Sequence, residues 1–394
     1  MADLTTLAES SQALFCAIAD YIGASQTNKL FDPKKVKDYT SFRSAIGDNK
    51  IKAAAKAIET PGVQLRDLEA FLNKDTKWYL SSLQIAKKLI NDISKIDPDF
   101  KIAQRGFNKI FYFRGDQEVM GNIDKLFKIA NKSGYKTQTK FGNINKWNPA
   151  DIYLATDKAK RAIVDELKKA QAKEKAYTFQ NLNILTSDLI DNGDLFPLSL
   201  KKTTKEAILQ MVNFDRKEEV KLIKKIAMRD VTNWRPYKKV PYPQKGETRD
   251  MRVLLESGGD IKLRHDPSAK RFVAEAIFSK AEARGGSIGS IKVLAEIINF
   301  VNPQVAKDIV KKYSAGEVKY LAALKKIEYL RPDKKKFDFE RGAISAIYVI
   351  NEVMPILKKF FKDNKKDEAN QALRLMFEYI TSRTPLSGKF VIAK

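Results

Sequence analysis

The chain has 394 residues and a formal net charge of +25, from 73 Lys and Arg residues against 48 Asp and Glu residues. Its hydrophobic content of 43% argues against a disordered chain and is sufficient for two or three domain cores. The single cysteine, Cys16, excludes an intrachain disulfide framework and a cysteine-based zinc site. Because no apolar run approaches the length of a membrane span and no signal-peptide pattern opens the chain, we expect a protein that is neither membrane-bound nor secreted.

The positive charge is concentrated after the first hundred residues. Residues 1–100 carry 14 Lys and Arg against 13 Asp and Glu, whereas residues 101–250 carry 31 against 18 and residues 251–394 carry 28 against 17. Attraction to phosphate does not depend on base sequence and grows with each charge that is neutralised. The pattern therefore favours a nucleic-acid partner, with acidic protein or membrane surfaces as the alternatives.

The first segment, residues 1–99, is predicted to be a helical module. Thr6 and Glu9 have the spacing of a capping box, and apolar residues follow at helical intervals. A second amphipathic helix is predicted over residues 77–96 and ends before Pro98. The near-neutral charge and the lack of catalytic residue clusters indicate a helical cap or an oligomerisation module.

The second segment, residues 100–232, alternates predicted strands and helices. Strands are predicted at 107–113, 152–155 and 195–200, and an extended piece at 135–141. Helices are predicted at 116–131, at 157–175, where the helix runs into 182–190, and at 203–211. Such an alternation is α/β in character.

The third segment, residues 233–300, opens with a basic, aromatic loop that contains three prolines. Its candidate nucleic-acid contacts are Trp234, Arg235, Lys238 and Lys239, because aromatic rings beside cations suit stacking on unpaired bases. The alternative is that these aromatic side chains close the edge of a core. Antiparallel strands are predicted at 251–255, 261–265 and 272–278, and the only histidine, His265, is interpreted as a surface residue of the second of these.

A glycine-rich turn is predicted to follow, before a helix at 290–300. Arg284, Gly285 and Gly286 are candidate contacts to a nucleic-acid backbone, because glycine lets backbone N–H groups approach a phosphate and a helix N-terminus adds positive potential. The alternative is a flexible turn without a ligand. It is not a Walker A loop, since the Gly-Lys-Ser/Thr sequence is absent.

The fourth segment, residues 301–394, is predicted to be helical. Its helices are expected at 305–312, 316–330, 339–361 and 366–381. The four segments together predict an α+β or α/β fold, with a helical N-terminal region, a mixed-sheet core, a small antiparallel sheet and a helical C-terminal region.

Two predicted strands carry the residue types of a metal-dependent phosphodiesterase. Asp151 follows Pro149 and precedes one strand, and Lys201 follows the next strand, with Lys202 beside it as a candidate phosphate contact. Carboxylate oxygens hold Mg²⁺ beside a phosphate, and the metal and an ammonium group stabilise the developing charge. This chemistry requires the two strands to lie side by side. The alternative is that Asp151 is a turn residue and that the lysines only keep a strand edge polar.

This arrangement resembles the PD-(D/E)xK nuclease superfamily, to which many restriction endonucleases belong, over about residues 100–215. The resemblance implies a restriction-endonuclease-like core in which an acid on the first helix, an Asp on one strand and an acid-x-Lys on the next surround Mg²⁺. It would make Glu118 or Asp116 the helix acid, Asp151 the central metal ligand, and Lys201 the residue that positions or activates water.

The chain departs from this pattern at Ser199, which stands where an acid should precede Lys201 by two positions. The separation of Asp151 from Ser199 also requires a helical insertion between the paired strands. Some restriction enzymes that resemble the pattern have Ser-x-Lys and take the acid from a following helix, for which Glu206 is best placed. Without such a substitute the site would bind and not cleave.

The leading hypothesis is therefore a DNA-binding protein with a nuclease-like core and Mg²⁺-dependent endonuclease activity. Asp151, Lys201, Glu118 and Glu206 would be catalytic, with the three acids as metal ligands. Sequence phrases at 146–152 and 197–202 also resemble those of proteins of large tailed bacteriophages, which implies a phage setting in the host cytoplasm or the virion. The alternative is a non-catalytic virion or assembly protein that binds the genome, an acidic neighbour or its own copies through its basic face. The choice between DNA and RNA stays open.

Overall fold

The computed structural model describes residues 2–96, 110–133, 141–172, 177–203, 205–232, 250–266, 271–278, 282–363 and 366–394. The chain forms two compact units. The first consists of residues 1–136, 143–214 and 386–394, and the second of residues 137–142 and 215–385. The four predicted segments are thus distributed over two units, and the N-terminal helices share the first unit with the predicted α/β region.

The first unit begins with helices that pack around an aromatic cluster. They are α1 (Leu4–Leu30), α2 (Tyr39–Ile46), α3 (Asp48–Ala55), α4 (Leu65–Lys74) and α5 (Thr76–Ile96). The fully buried Phe15 stacks on Phe42 with ring centroids 4.8 Å apart, and Tyr79 meets Phe15 edge-on at 5.8 Å. Buried aromatic pairs of this kind add to the free energy gained from their buried area. The predicted N-terminal helix and the predicted helix at 77–96 are confirmed.

A mixed sheet of six strands lies in the first unit, counted over the described residues. The strands are β1 (Ile58–Glu59), β2 (Phe111–Phe113), β3 (Ile152–Ala155), β4 (Leu195–Leu200), β5 (Leu209–Val212) and a C-terminal strand, Phe390–Ala393. Strand β3 pairs antiparallel with both β2 and β4, and the predicted pairing of β3 with β4 is confirmed. Because these two strands are antiparallel, the start of β3 lies beside the end of β4.

The C-terminal strand Phe390–Ala393 lies between β4 and β5, parallel to the first and antiparallel to the second. The prediction of a helix at 203–211 is therefore wrong, because Leu209–Val212 is a strand and the described residues before it, 203 and 205–208, are not helical. The backbone N–H of Ile208 donates to the Lys394 carbonyl at 2.6 Å, and the Lys394 N–H donates back at 3.0 Å. The capping-box spacing that predicted the helix involves only neighbouring residues. It therefore gives no information about pairing with a strand near residue 390.

Helices fill the connections of this sheet. They are α6 (Met120–Ser133), α7 (Ile144–Trp147), α8 (Asp157–Gln171) and α9 (Phe179–Asp191). Phe127 of α6 contacts Trp147 and Phe179, with centroid distances of 6.3 and 5.6 Å. Helices α8 and α9 connect β3 to β4 and are the helical insertion that the strand pairing required. The extended piece predicted at 135–141 lies almost entirely outside the described residues.

The second unit contains helix α10 (Arg216–Lys224) and an antiparallel sheet. Its described strands are β6 (Met228–Val231), β7 (Met251–Leu255), β8 (Asp260–Asp266), β9 (Arg271–Phe278) and β10 (Glu282–Gly289), in the order β10-β9-β8-β7-β6. The three strands predicted at 251–278 are confirmed. The prediction of a glycine-rich turn is wrong, because Gly285 and Gly286 lie within β10 and pair with β9. Glycine keeps both backbone hydrogen-bonding groups, so it can still take part in a sheet.

The remaining helices of the second unit are α11 (Ile291–Asn299), α12 (Pro303–Lys325), α13 (Lys334–Ser345), α14 (Asn351–Asp363) and α15 (Lys366–Ile380), with a π-helical turn at Ala346–Ile350. The predicted break before Gly316 is wrong, since Gly316 lies inside α12. A methyl group there would overlap the carbonyl oxygen of Tyr348, so the glycine permits close packing between α12 and the π-helical turn. Among the described residues, no helix combines the length and apolarity needed to span a bilayer.

The interpretation of His265 as a surface residue is also wrong, since it is only 3% exposed. His265 shares the buried face of β8 with Ile261 and Leu263, where alternate residues point to the same side. Its Nδ1 lies 3.1 Å from the hydroxyl oxygen of Ser345. The predicted alternation along β8 is confirmed, but His265 lies on the buried face of the strand and not on the exposed one.

Candidate functional site

Asp151 is held at the start of β3 by hydrogen bonds to the end of β4. Its backbone N–H donates to the Leu198 carbonyl at 2.9 Å. Its carboxylate oxygen Oδ2 accepts a hydrogen bond from the Leu200 N–H at 2.6 Å and one from the Ser199 hydroxyl at 3.3 Å. The carboxylate is thereby fixed against the last two residues of β4, immediately before Lys201.

Lys201 lies in the exposed segment that follows β4. Its backbone N–H donates to the Ala393 carbonyl at 2.7 Å, so its main chain is anchored on the C-terminal strand. Burial raises the pKa of Asp151 above its ordinary value, and the Leu200 N–H and the Lys201 charge oppose that rise. The positive charge of Lys201 thus favours the ionised form of Asp151.

Glu9 and Arg114 join this site from α1 and from the residue after β2. The Arg114 Nε lies 2.7 Å from Oε2 of Glu9, whose side chain is 15% exposed. Burial raises the pKa of Glu9, Arg114 opposes the rise, and the negative charge of Asp151 adds to it. Arg114 also opposes the rise in the pKa of Asp151. We call Glu9, Arg114, Asp151, Ser199 and Lys201 the Asp151 cluster.

Sequence reasoning missed both Glu9 and Arg114. Glu9 was assigned to a capping box with Thr6, which is wrong because Asp3 caps α1, its carboxylate accepting from the Thr6 N–H at 2.8 Å. Two signals were present: an acid near the start of the first helix of the chain, and an arginine directly after a β-prone run. Neither signal by itself shows that Glu9 of α1 pairs with Arg114, which follows β2.

The helix acids that were predicted have other partners. Glu118 forms an ion pair with Lys160 of α8. Asp116 caps α6: its Oδ1 accepts from the N–H groups of Glu118 and Val119, at 2.8 and 2.5 Å, and its Oδ2 from that of Met120 at 3.2 Å. These contacts stabilise the turn that precedes α6.

The residues after β4 lie against α5. Glu206 is 89% exposed, and its carboxylate lies 3.7 Å from the Lys88 ammonium. Lys202 lies 3.3 Å from both carboxylate oxygens of Asp75 and 5.1 Å from the ring centroid of Trp78. The structure therefore brings together Asp151, Ser199 and Lys201, while Glu118 and Glu206 pair with lysines elsewhere in the first unit.

The remaining candidates belong to the second unit. Trp234, Arg235, Lys238 and Lys239 lie outside the described residues. Arg284, Gly285 and Gly286 are part of β10, and their backbones pair with Ala276, Glu275 and Ala274 of β9. These three residues therefore form a paired strand and not the loop before a helix that was predicted to contact phosphate.

The donor set of the Asp151 cluster fits one kind of metal site. Among the described residues, no group of three or more His, Cys, Asp or Glu side chains converges on one point. Two carboxylates, Glu9 and Asp151, interact closely enough for one to raise the pKa of the other. Mg²⁺ is commonly held by one or two carboxylates together with waters and substrate phosphates. Two carboxylates of this kind would suit a Mg²⁺ ion that takes its other ligands from water and a substrate phosphate, and would not form an all-protein cage.

Comparisons of the chain with protein-family models, with curated proteins and with solved structures found no match.

Proposed function

We propose that the chain is a nucleic-acid-binding protein whose Asp151 cluster hydrolyses phosphodiester bonds with Mg²⁺. The observation that carries the proposal is the position of Asp151 and Lys201 at the adjoining ends of β3 and β4, with Ser199 between them. A carboxylate and an ammonium group at one sheet edge are the minimum that this chemistry requires. The mixed sheet of the first unit supports a restriction-endonuclease-like core.

Glu9 takes the role of the acid on the first helix, which the resemblance to PD-(D/E)xK nucleases requires. Glu9 and Asp151 would hold Mg²⁺, which when bound lowers the pKa of a water and polarises the phosphate. Arg114 fixes the carboxylate of Glu9 and limits the repulsion between the two acids. The Leu200 N–H fixes the orientation of the Asp151 carboxylate.

Lys201 acts on the phosphate and the attacking water. Its ammonium group donates hydrogen bonds to a phosphate oxygen, whose charge grows as the water oxygen bonds to phosphorus. The attacking water releases a proton to solvent, the bond from phosphorus to the leaving oxygen breaks, and that leaving oxygen takes up a proton from solvent. Lys201 is exposed, whereas Asp151 is largely buried. A nucleic-acid strand would therefore approach the site from the side of Lys201.

DNA is the preferred polymer, and the phage setting remains part of the proposal. The excess of 25 positive charges supports binding to a polyanion, for which affinity falls steeply as salt is added. DNA binding and DNA hydrolysis are separable. Lysines distributed over the protein would bind the phosphate backbone of the DNA, whereas the Asp151 cluster would act on a single phosphodiester bond.

The test compares Asp151→Asn and Lys201→Ala with the unchanged protein on supercoiled DNA with Mg²⁺. We expect both variants to lose nicking activity by at least about a hundredfold, which is typical of the loss of one transition-state interaction. Both should keep salt-dependent binding in EDTA. Lys205→Ala, which removes an exposed lysine from the same segment, is the matched control and should cleave normally. Undiminished cleavage by the Asp151 and Lys201 variants would refute the assignment.

A second function is favoured by one observation. Ser199 supplies no carboxylate, and the described residues contain no group of three metal-ligating acids. A protein that binds the genome or an acidic partner in the virion without cleaving would have the same basic surface. Salt-sensitive DNA binding with no Mg²⁺-dependent nicking by the unchanged protein would establish this alternative.

A further inference from the structure

A cleft of about 450 Å³ opens in the first unit beside the Asp151 cluster. Its walls come from the turn before α6, from α6 itself, from α7 and from β3. A volume of this size is within the range of small-molecule sites. None of the predicted nucleic-acid contacts that fall within the described residues lines this cleft.

The cleft and the Asp151 cluster share the same two pieces of chain. In one, Arg114 belongs to the cluster and the next residue, Gly115, lines the cleft. In the other, Asp151 belongs to the cluster and both Ala150 and Tyr153 line the cleft. Asp151 also raises the pKa of Tyr153, although burial is the larger cause. If one part of a bound molecule lies at the Asp151 cluster, the adjoining part of the same molecule would therefore lie at the cleft.

One of the four charged side chains that line the cleft, Lys125, is placed to meet an anion. The carboxylate of Asp116 accepts hydrogen bonds from the backbone of the α6 turn, and that of Asp124 pairs with Lys128 at 2.5 Å. By contrast, the ammonium group of Lys125 donates to a neutral group, the Asn122 amide oxygen, at 3.1 Å. The two carboxylates and the two ammonium groups of the lining balance in formal charge, and Lys125 is the one of the two lysines that contacts a neutral group, so it is the one that a phosphate would pair with.

The other lining groups suit a planar, partly polar ring. Met120, Ile144 and Tyr153 supply apolar surface, and the thioether of a methionine adapts to flat rings. A base extracted from its stack is held by apolar or aromatic side chains together with polar groups, and this largely polar cleft offers both. A base within a continuous duplex cannot enter such a cleft.

We propose that this cleft binds one unpaired nucleotide, with its base between Met120, Ile144 and Tyr153 and its phosphate at Lys125. The inference rests on the proposed function, because it takes the cleft to hold the nucleotide adjoining the bond at the Asp151 cluster. The substrate class is then a strand with an unpaired nucleotide, such as a single-stranded end, a flap or a gap, and not a continuous duplex.

The test measures binding by fluorescence anisotropy in EDTA, with the Asp151→Asn variant as the background so that cleavage plays no part. The probes are a labelled single-stranded deoxyoligonucleotide and a blunt duplex of equal length. A deoxynucleoside 5′-monophosphate serves as competitor, and the corresponding nucleoside tests the contribution of phosphate. We expect the single strand to bind about tenfold more tightly, or more, than the duplex, and the monophosphate to compete better than the nucleoside.

Lys125→Glu should abolish this preference, lowering affinity for the single strand about tenfold or more and affinity for the duplex much less. Lys132→Glu is the matched control, since Lys132 is an exposed lysine of the same helix and is not part of the cleft lining. Met120→Trp, which fills the cleft without changing charge, should act like Lys125→Glu. Circular dichroism of each variant checks that it is folded.

Equal losses in the Lys125 and Lys132 variants, or equal losses for single strand and duplex, would overturn the inference. Competition by the monophosphate without any preference for the single strand would also overturn it, and would mark a site for free nucleotides. If the cleft-dependent preference is found while the unchanged protein does not nick DNA, the cleft is supported and the hydrolysis proposal fails.

Discussion

Acidification should destabilise the second unit through one side chain, His265. Its ring is buried between Phe272 and Tyr313, with centroid distances of 5.0 and 6.0 Å. Burial lowers the pKa of His265 to about 4, from an ordinary value of 6.5, because the charged ring loses its hydration. The unfolded chain therefore takes up a proton before the folded chain does, and stability falls as the pH drops from about 6.5 to about 4.

The magnitude follows from these two pKa values. Between pH 7 and pH 5 the linkage relation gives a loss of about 2 kcal/mol in the free energy of unfolding. The loss reaches about 3 kcal/mol once the pH is below the folded-state value. Above pH 7 the residue is neutral in both states and its contribution does not change with pH.

The assay is urea denaturation, followed by circular dichroism, of the unchanged protein and of His265→Gln at pH 7 and pH 5. His265 is the only histidine of the chain, so the substitution removes this titration alone. The pKa of Asp20, in the first unit, is raised by burial to about 6, which favours the folded state on acidification, but this effect is common to both proteins. The pH dependence of the variant should be smaller by about 2 kcal/mol. Equal pH dependence in the two proteins would show that His265 is not a buried neutral group.

Three further predictions concern stability. Asp151→Ala should cost about 1–3 kcal/mol in urea unfolding, because it leaves the Leu200 N–H without its acceptor at 2.6 Å, whereas Asp151→Asn retains an oxygen and should cost less. Gly316→Ala should lower the thermal midpoint, at a cost of about 1–3 kcal/mol, because the new methyl group meets the Tyr348 carbonyl. Removal of residues 386–394 should unfold the first unit, detected as rapid proteolysis, because the C-terminal strand pairs with two others.

Each of these has a simple contrast. Equal stability of the Ala and Asn variants at position 151 would mean that the carboxylate does not hold the Leu200 N–H. Ser314→Ala, at an exposed position of α12, should leave the thermal midpoint unchanged. If the shortened chain resists protease as well as the full chain, the pairing of the C-terminal strand contributes nothing to stability.

The sequence predicted well what depends on neighbouring residues. Alternation of apolar residues identified β7, β8 and β9, and helical periodicity identified α1 and α5. Such patterns repeat every two or every 3.6 residues and can be read over a short window. The same local reading placed Asp151 at the start of one strand and Lys201 at the end of the next, which the antiparallel pairing of these strands brings together.

Local patterns failed where a distant element decides. Residues 209–212 form a strand because residues 390–393 pair with them. Gly316 does not end its helix, and its lack of a side chain lets the Tyr348 carbonyl approach closely. The glycine-rich segment 282–289 likewise forms a strand, which pairs antiparallel with β9. In each case a tertiary contact outweighed a weak local preference.

For the candidate site, the sequence by itself determined which residue types end the two central strands. Only the tertiary structure decided which further charges meet them: Glu9 comes from α1 and Arg114 from the end of β2, while Glu118 is held by Lys160. The physical reason is that backbone preference acts between near neighbours in the chain, whereas the interaction of two charges depends only on their separation in space and on the burial between them.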